Sequence, residues 1–201
     1  MESKKKSSKG ILGLLRKFAR DCHGLSAIEF AFVFPVMASL YLGGTALTQG
    51  IVIKRKVTLV TRTAGDLASQ ETDITDAEMN TLLKSAAVVM NPYPTATLTV
   101  TLTGVLVDKN GVGTVRWSSK STNAGDFVQG YAVGSTLADP TGALPKLVVT
   151  DKSTDYIMVE GHYSYTPPVA QNLVGTIPLD NTFYLRPRRV LCITRNSVAC
   201  T

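Results

Sequence analysis

Histidine, cysteine and tryptophan are scarce in this chain of 201 residues, which holds two, three and one of them. His23 and His162 stand far apart, and no Cys/His spacing fits a zinc site, so no metal centre is expected. The run Gly111-Val112-Gly113 lacks the third glycine of a dinucleotide loop, and there is no P-loop. No serine stands in a nucleophile elbow. Asp108-x-Asn110-Gly111 lacks the third acid and the closing glutamate of a calcium loop, so it reads as a turn. Paired carboxylates are a property of the fold and cannot be read here. The expectation is a protein without catalytic residues or cofactor.

Charge is the other absence. From Phe30 to Ile53 there is no charged side chain. As a helix this stretch would be about 36 Å long, enough to cross a hydrocarbon core of about 30 Å. Glu29 directly precedes it, and a carboxylate at the start of such a helix calls for a partner, since a charge costs about 2.5–3.5 kcal/mol at the bilayer centre on insertion scales and less near the edge. Pro35 removes one helical amide and predicts a kink. Ser39/Gly43 and Ala46/Gly50 are small-xxx-small pairs that would let another helix approach. The apolar core of a secretory signal peptide is shorter, about 7–15 residues, and ends at a small-x-small site; Ala46-Leu47-Thr48 is the nearest imitation.

The net charge of +6 is unevenly placed. Residues 1–24 carry Lys4, Lys5, Lys6, Lys9, Arg16, Lys17 and Arg20 against Glu2 and Asp21, a net of +5, which leaves the body close to neutral. That removes the basic face that nucleic-acid binding needs. Lysine and arginine beside a span favour the cytoplasm, so the leader predicts an N-terminus inside and a body in the periplasm. Lys54, Arg55 and Lys56 argue the other way but are fewer. Residues 10–20 are also amphipathic enough to lie on the inner membrane face, the alternative being a plain charged leader.

Basic leader, Gly24, Leu25-Ser26-Ala27-Ile28-Glu29-Phe30 and apolar run together resemble the class III signal of type IV pilins. Phe30 and Ala31-Phe32-Val33-Phe34-Pro35 resemble the Tad (Flp) subgroup and its TadE/TadG-like pseudopilins. The resemblance implies that a prepilin peptidase cuts after Gly24 and frees the amine of Leu25. It also implies that Glu29 pairs with the amine of a neighbouring subunit during assembly. The implied partners are other pilins and minor pilins, the peptidase, the assembly platform and the bacterial inner membrane.

Beyond Ile53, Val57, Leu59, Val60, Ala64, Leu67 and Ala68 recur at helical spacing and predict an extension of the membrane helix into solvent. Thr75 is a candidate N-cap with Glu78 as capping-box partner. Met79, Leu82, Leu83, Ala86, Ala87 and Met90 give a second helix its stripe, and Asn91-Pro92-Tyr93-Pro94 ends it. The period then changes to two. Leu98, Val100 and Leu102 alternate with threonines, and Asp108-Lys109-Asn110-Gly111 turns the chain into a hairpin with residues 112–117. A long loop with room for a short helix or strand is expected over 118–146, a strand over Tyr156–Tyr165 ended by Pro167-Pro168, and a last strand over Asn181–Arg189.

Tyr163-Ser164-Tyr165-Thr166-Pro167 and Tyr184-Leu185-Arg186-Pro187-Arg188 again look like the Tad pseudopilins. The fold class expected is α+β and pilin-like: a long N-terminal transmembrane helix with a small antiparallel sheet. The division expected is a leader at 1–24, a transmembrane helix at 25–53, a helical stalk and second helix at 54–91, and a β-rich periplasmic domain at 92–201. Cys22 would leave with the leader. In an oxidising compartment Cys192 and Cys200 would then close a small loop, worth up to about 2–3 kcal/mol, the alternative being two free thiols. The function the resemblance implies is a minor pilin that initiates, primes or caps a Tad-type pilus. The alternative is a permanently anchored periplasmic binding module.

Overall fold

Apolar side chains at helical steps of three, four and seven define one stripe on the first helix, α1 (Gly24–Ser69). Ala46, Ile53, Val57, Val60, Ala64 and Ala68 are all buried along it. The computed structural model describes residues 24–108, 112–122, 126–137, 154–168 and 171–198, with the side chains of 24, 25, 154, 172 and 173 left aside. The leader, the turn tip at Lys109–Gly111 and Cys200 lie outside these. The chain divides into two compact units, residues 1–45 and 46–201. The boundary falls eight residues before the expected end of the membrane helix, and α1 is continuous through it.

The second unit is α+β. After α1 come β1 (Asp73–Ile74), α2 (Asp76–Val88), β2 (Leu98–Val107), β3 (Gly113–Ser121), β4 (Phe127–Gln129), β5 (Thr136–Leu137), β6 (Thr154–Tyr165), α3 (Gln171–Val174), β7 (Ile177–Leu185) and β8 (Thr194–Arg195). The main sheet is antiparallel, in the order β4-β3-β2-β6-β7, with β5 also paired to β3. A separate parallel pair joins β1 to β8. The last long strand thus starts four residues earlier than expected and stops at Leu185, because its register runs from Ile177 opposite Tyr165 to Leu185 opposite Ile157. The long loop expected after residue 118 begins later, since β3 runs on to Ser121.

The expected stalk is core. Residues 53–68 of α1 and Met79, Leu82, Leu83, Ala86 and Met90 around α2 share one apolar cluster with Leu98, Val100, Leu102, Ile157 and Val159 of the sheet. Burying a Val or Ile this fully is worth about 1.5–3 kcal/mol, which is why the stripe is not left in water. Helix and sheet meet closely at Gly161. A Cβ there would stand 2.5 Å from Thr61 Cγ2 and 3.3 Å from Val57 Cγ1. Gly65 makes the reciprocal approach, and its missing Cβ would fall 2.3 Å from Leu185 Cδ1. Asn181 Nδ2 donates to Thr61 Oγ1 at 2.7 Å, joining β7 to the same turn of helix.

Local signals behave as their chemistry requires. Thr75 and Glu78 form the capping box, with the Thr75 amide donating to Glu78 Oε2 at 2.8 Å and the Glu78 amide to Thr75 Oγ1 at 3.3 Å. Trp117 lies across the sheet from Gly104, and its Nε1 donates to the Ile193 carbonyl at 3.0 Å. The ladder shifts register at Gly104/Val105, beside this pair. A Cβ on Gly104 would sit 2.4 Å from Trp117 Nε1 and 2.6 Å from Cε2, so the glycine is what seats the indole.

The C-terminal segment folds back on the start of α2. Asp73 accepts from the Thr194 hydroxyl and from the Ser197 amide at 2.9 Å. Asp76 accepts from Arg195 and from Asn196 Nδ2 at 3.1 Å. The Arg-Pro-Arg run is part of the same return: the Arg188 amide donates to the Ser69 carbonyl and its guanidinium to Asp66, while Arg186 reaches the Tyr156 hydroxyl. These bonds hold Asp73 below the usual carboxylate range, chiefly through Thr194, and Asp76 likewise, chiefly through Asn196. Glu78 is lowered by the Thr75 amide and hydroxyl. Asp155 moves the opposite way, because burial raises it more than Arg116 at 2.6 Å lowers it.

Gly104→Ala is expected to displace the indole and cost about 1–3 kcal/mol, the usual range for overpacking. Trp117 is the sole tryptophan, so a red-shifted emission accompanying the lower melting temperature reports the mechanism directly. For the C-terminal return, a lowered folded-state pKa gives stability that is present above the unfolded value and lost as pH falls through the folded one. Asp73→Asn should therefore melt below the wild type at pH 7, and the gap should close as pH drops below the ordinary aspartate value of 3.8. A gap independent of pH would show that the carboxylate charge contributes nothing.

Candidate functional site

Ser26 to Thr45 rise about 30 Å at 1.5 Å per residue, the thickness of a hydrocarbon core. The helix is long and apolar enough to cross a membrane. Phe30, Phe32, Phe34, Met37, Leu40 and Tyr41 are all more than half exposed. Such a surface is stable in lipid and unfavourable in water. Ser39 and Thr45 return their hydroxyls to the carbonyls of Val36 and Leu42, both at 2.9 Å, so neither leaves a free donor on this face. The rings of Phe30 and Phe34 lie 5.4 Å apart, one helical turn along. Pro35 is inside the helix, and the helix continues past it.

Glu29 is exposed and is the only charged residue from Ser26 to Ile53. It has no hydrogen-bond or ion-pair partner among the described residues. Of the two small-residue pairs, Gly43 has nothing within 4 Å of an added Cβ. Ala46 and Gly50 differ from expectation. Ala46 is 5% exposed, and a Cβ added to Gly50 would stand 3.8 Å from the ring of Tyr165, whose hydroxyl donates to Gln49 Oε1 at 2.9 Å. These two residues serve the domain's own packing, and Ser39/Gly43 remain as the open pair.

The basic triplet after the span is also largely absorbed. Lys54 donates to the Asp180 carbonyl. Lys56 caps the end of α2 through the carbonyls of Val89 at 3.2 Å and Asn91 at 2.7 Å. Two of the three cations that opposed the N-inside orientation thus have structural duties in the folded domain.

The other face of the sheet carries a group that the sequence did not reveal. His162, read as a lone strand histidine, stands directly opposite Asp180, and its Nδ1 meets the Asp180 carboxylate. Its Nε2 lies 3.4 Å from Ser164 Oγ. The alternation of a strand puts residues 162 and 164 on one face, a signal that was present. Asp180 was missed because β7 was expected to start at Asn181. Nearby, the Tyr131 hydroxyl donates to Glu160 Oε2 at 2.8 Å, and burial together with that carboxylate pushes the phenol up to about 12. Thr101 and Thr103, which alternate with the core-facing Val100 and Leu102, are buried as well. The segment around Gly130 and Tyr131 lies over this part of the sheet.

Cys192 is disulfide-bonded. The chain's other cysteines, Cys22 and Cys200, lie outside the described residues. Among the described residues no cluster of three or more His, Cys, Asp or Glu side chains is placed to hold a metal ion. No protein-family model, curated protein or solved structure matches this chain.

Proposed function

We propose that this chain is a minor pilin of the TadE/TadG-like kind, cut between Gly24 and Leu25 by a prepilin peptidase and used to initiate, prime or cap a Tad-type pilus. The observation that carries the reading is Glu29. It is a carboxylate without a partner among the described residues, on a helix segment that is otherwise apolar and exposed. Such a charge is costly in lipid unless something neutralises it. The amine of a second subunit's Leu25, freed by cleavage, is the counter-charge the signal resemblance supplies. Phe30 would pack beside that pair, Pro35 would shape the segment, and Ser39 and Gly43 would allow close helix approach. Residues 46–201 would then be the periplasmic body.

The experiment is the N-terminal sequence of the membrane form. A mature chain beginning at Leu25 is expected, and Gly24→Leu should leave the leader attached. A chain that keeps its leader would leave the anchored binding module as the better account. A second result is expected from Glu29→Ala, which should be inserted and cleaved normally but fail to enter filaments. Removing the acid should make insertion easier. Normal filament entry of Glu29→Ala would eliminate the pairing mechanism.

A further inference from the structure

We infer that Ser164, His162 and Asp180 form an acyl-accepting site on the outer sheet face, with Ser164 as nucleophile, His162 as general base and Asp180 as positioning residue. Two adjacent strands build it. Period two places His162 and Ser164 on the same side of β6, and the antiparallel register sets Asp180 of β7 directly opposite His162. Thr99 of β2 flanks the histidine on its other side. With Nδ1–H donated to the Asp180 carboxylate, Nε2 is left as the acceptor, and it faces Ser164 Oγ at 3.4 Å. Catalytic contacts of this kind are often loose without substrate. The order of contacts, hydroxyl to Nε2 and Nδ1 to carboxylate, is the one a serine–histidine–aspartate relay requires.

The surroundings select the substrate class. The side chains of His162 and Asp180 are 51% and 67% exposed, so the acyl group meets an open face that does not discriminate its length. Water also screens developing charge there. The substrate must therefore be an activated ester, whose leaving group departs with little help. In the step, Ser164 Oγ attacks the carbonyl carbon and its proton passes to His162 Nε2. The bond to the leaving oxygen breaks, and the leaving group takes that proton and departs as the free alcohol or phenol. In the second step a water attacks the carbonyl carbon of acyl-Ser164 as His162 Nε2 takes the water's proton; the bond from that carbon to Oγ breaks, Oγ takes the proton back from Nε2, and the carboxylic acid leaves. Nothing in this site draws on the pilin reading.

The full chain in detergent micelles is treated with an alkyl fluorophosphonate, and the adduct is located by peptide mass spectrometry. The adduct is expected on Ser164, with loss of fluoride. His162→Gln should slow labelling by about 100-fold or more, and Asp180→Asn by at least about tenfold, at unchanged melting temperature. Turnover of p-nitrophenyl acetate should fall in parallel and vanish in Ser164→Ala. As a check independent of the serine, Ser164→Cys should be alkylated by iodoacetamide faster than the same variant carrying His162→Gln. No labelling of the wild type, adducts at other positions only, or a rate unaffected by His162→Gln would each overturn the site.

Discussion

The close approach of α1 to β6 at Gly161 is the contact on which the rest of the domain depends. It sets the depth at which the helical stripe enters the sheet, and it aligns Thr61 with Asn181 of β7. Once that depth is fixed, Gly65 must yield room to Leu185, and the end of β7 falls beside the end of the helix. The Arg188 amide can then reach the Ser69 carbonyl. Interiors packed at crystal density transmit such constraints because they cannot absorb them by compression.

The same stripe explains why one helix reads as two things. A charge-free run is equally compatible with lipid and with a protein core, since both exclude water. What separates them is the partner. Ser26–Thr45 keeps its apolar surface outward, whereas Ala46 is buried, Gly50 faces the Tyr165 ring and Ile53 belongs to the core shared with the sheet. Small residues obey the same division. Gly43 is open, and Gly50 is already occupied by Tyr165.

What was legible in the sequence was local. The Thr75/Glu78 box, the α2 stripe, the threonine alternation and the turn after Val107 depend on neighbours a few residues away, and their chemistry names them. What stayed hidden was non-local. The beginning of β7 is set by its register against β6 and not by its own composition, so Asp180 was left off the strand. Without Asp180 the histidine looked solitary. The burial of Thr101 and Thr103 was likewise hidden, because nothing in their own strand announces the segment that crosses over them. Glu29 was visible at once, since a lone charge in an apolar run needs no tertiary context to stand out.

The sequence distance across the helix–sheet contact sets an order of events during synthesis. Thr61 and its partner Asn181 are 120 residues apart. At roughly 5–20 residues per second the ribosome needs about 6–24 s to deliver the second after the first. Throughout that interval the stripe from Ile53 to Ala68 lacks its β7 cover, and the loop to be closed is among the longest this chain can make. Contacts so distant form late and slowly. The segment before residue 46 is long and apolar enough to cross a membrane and has no partner strand to wait for. On the proposed membrane reading, its insertion would precede folding, and the nascent domain would pass its most aggregation-prone seconds already tethered.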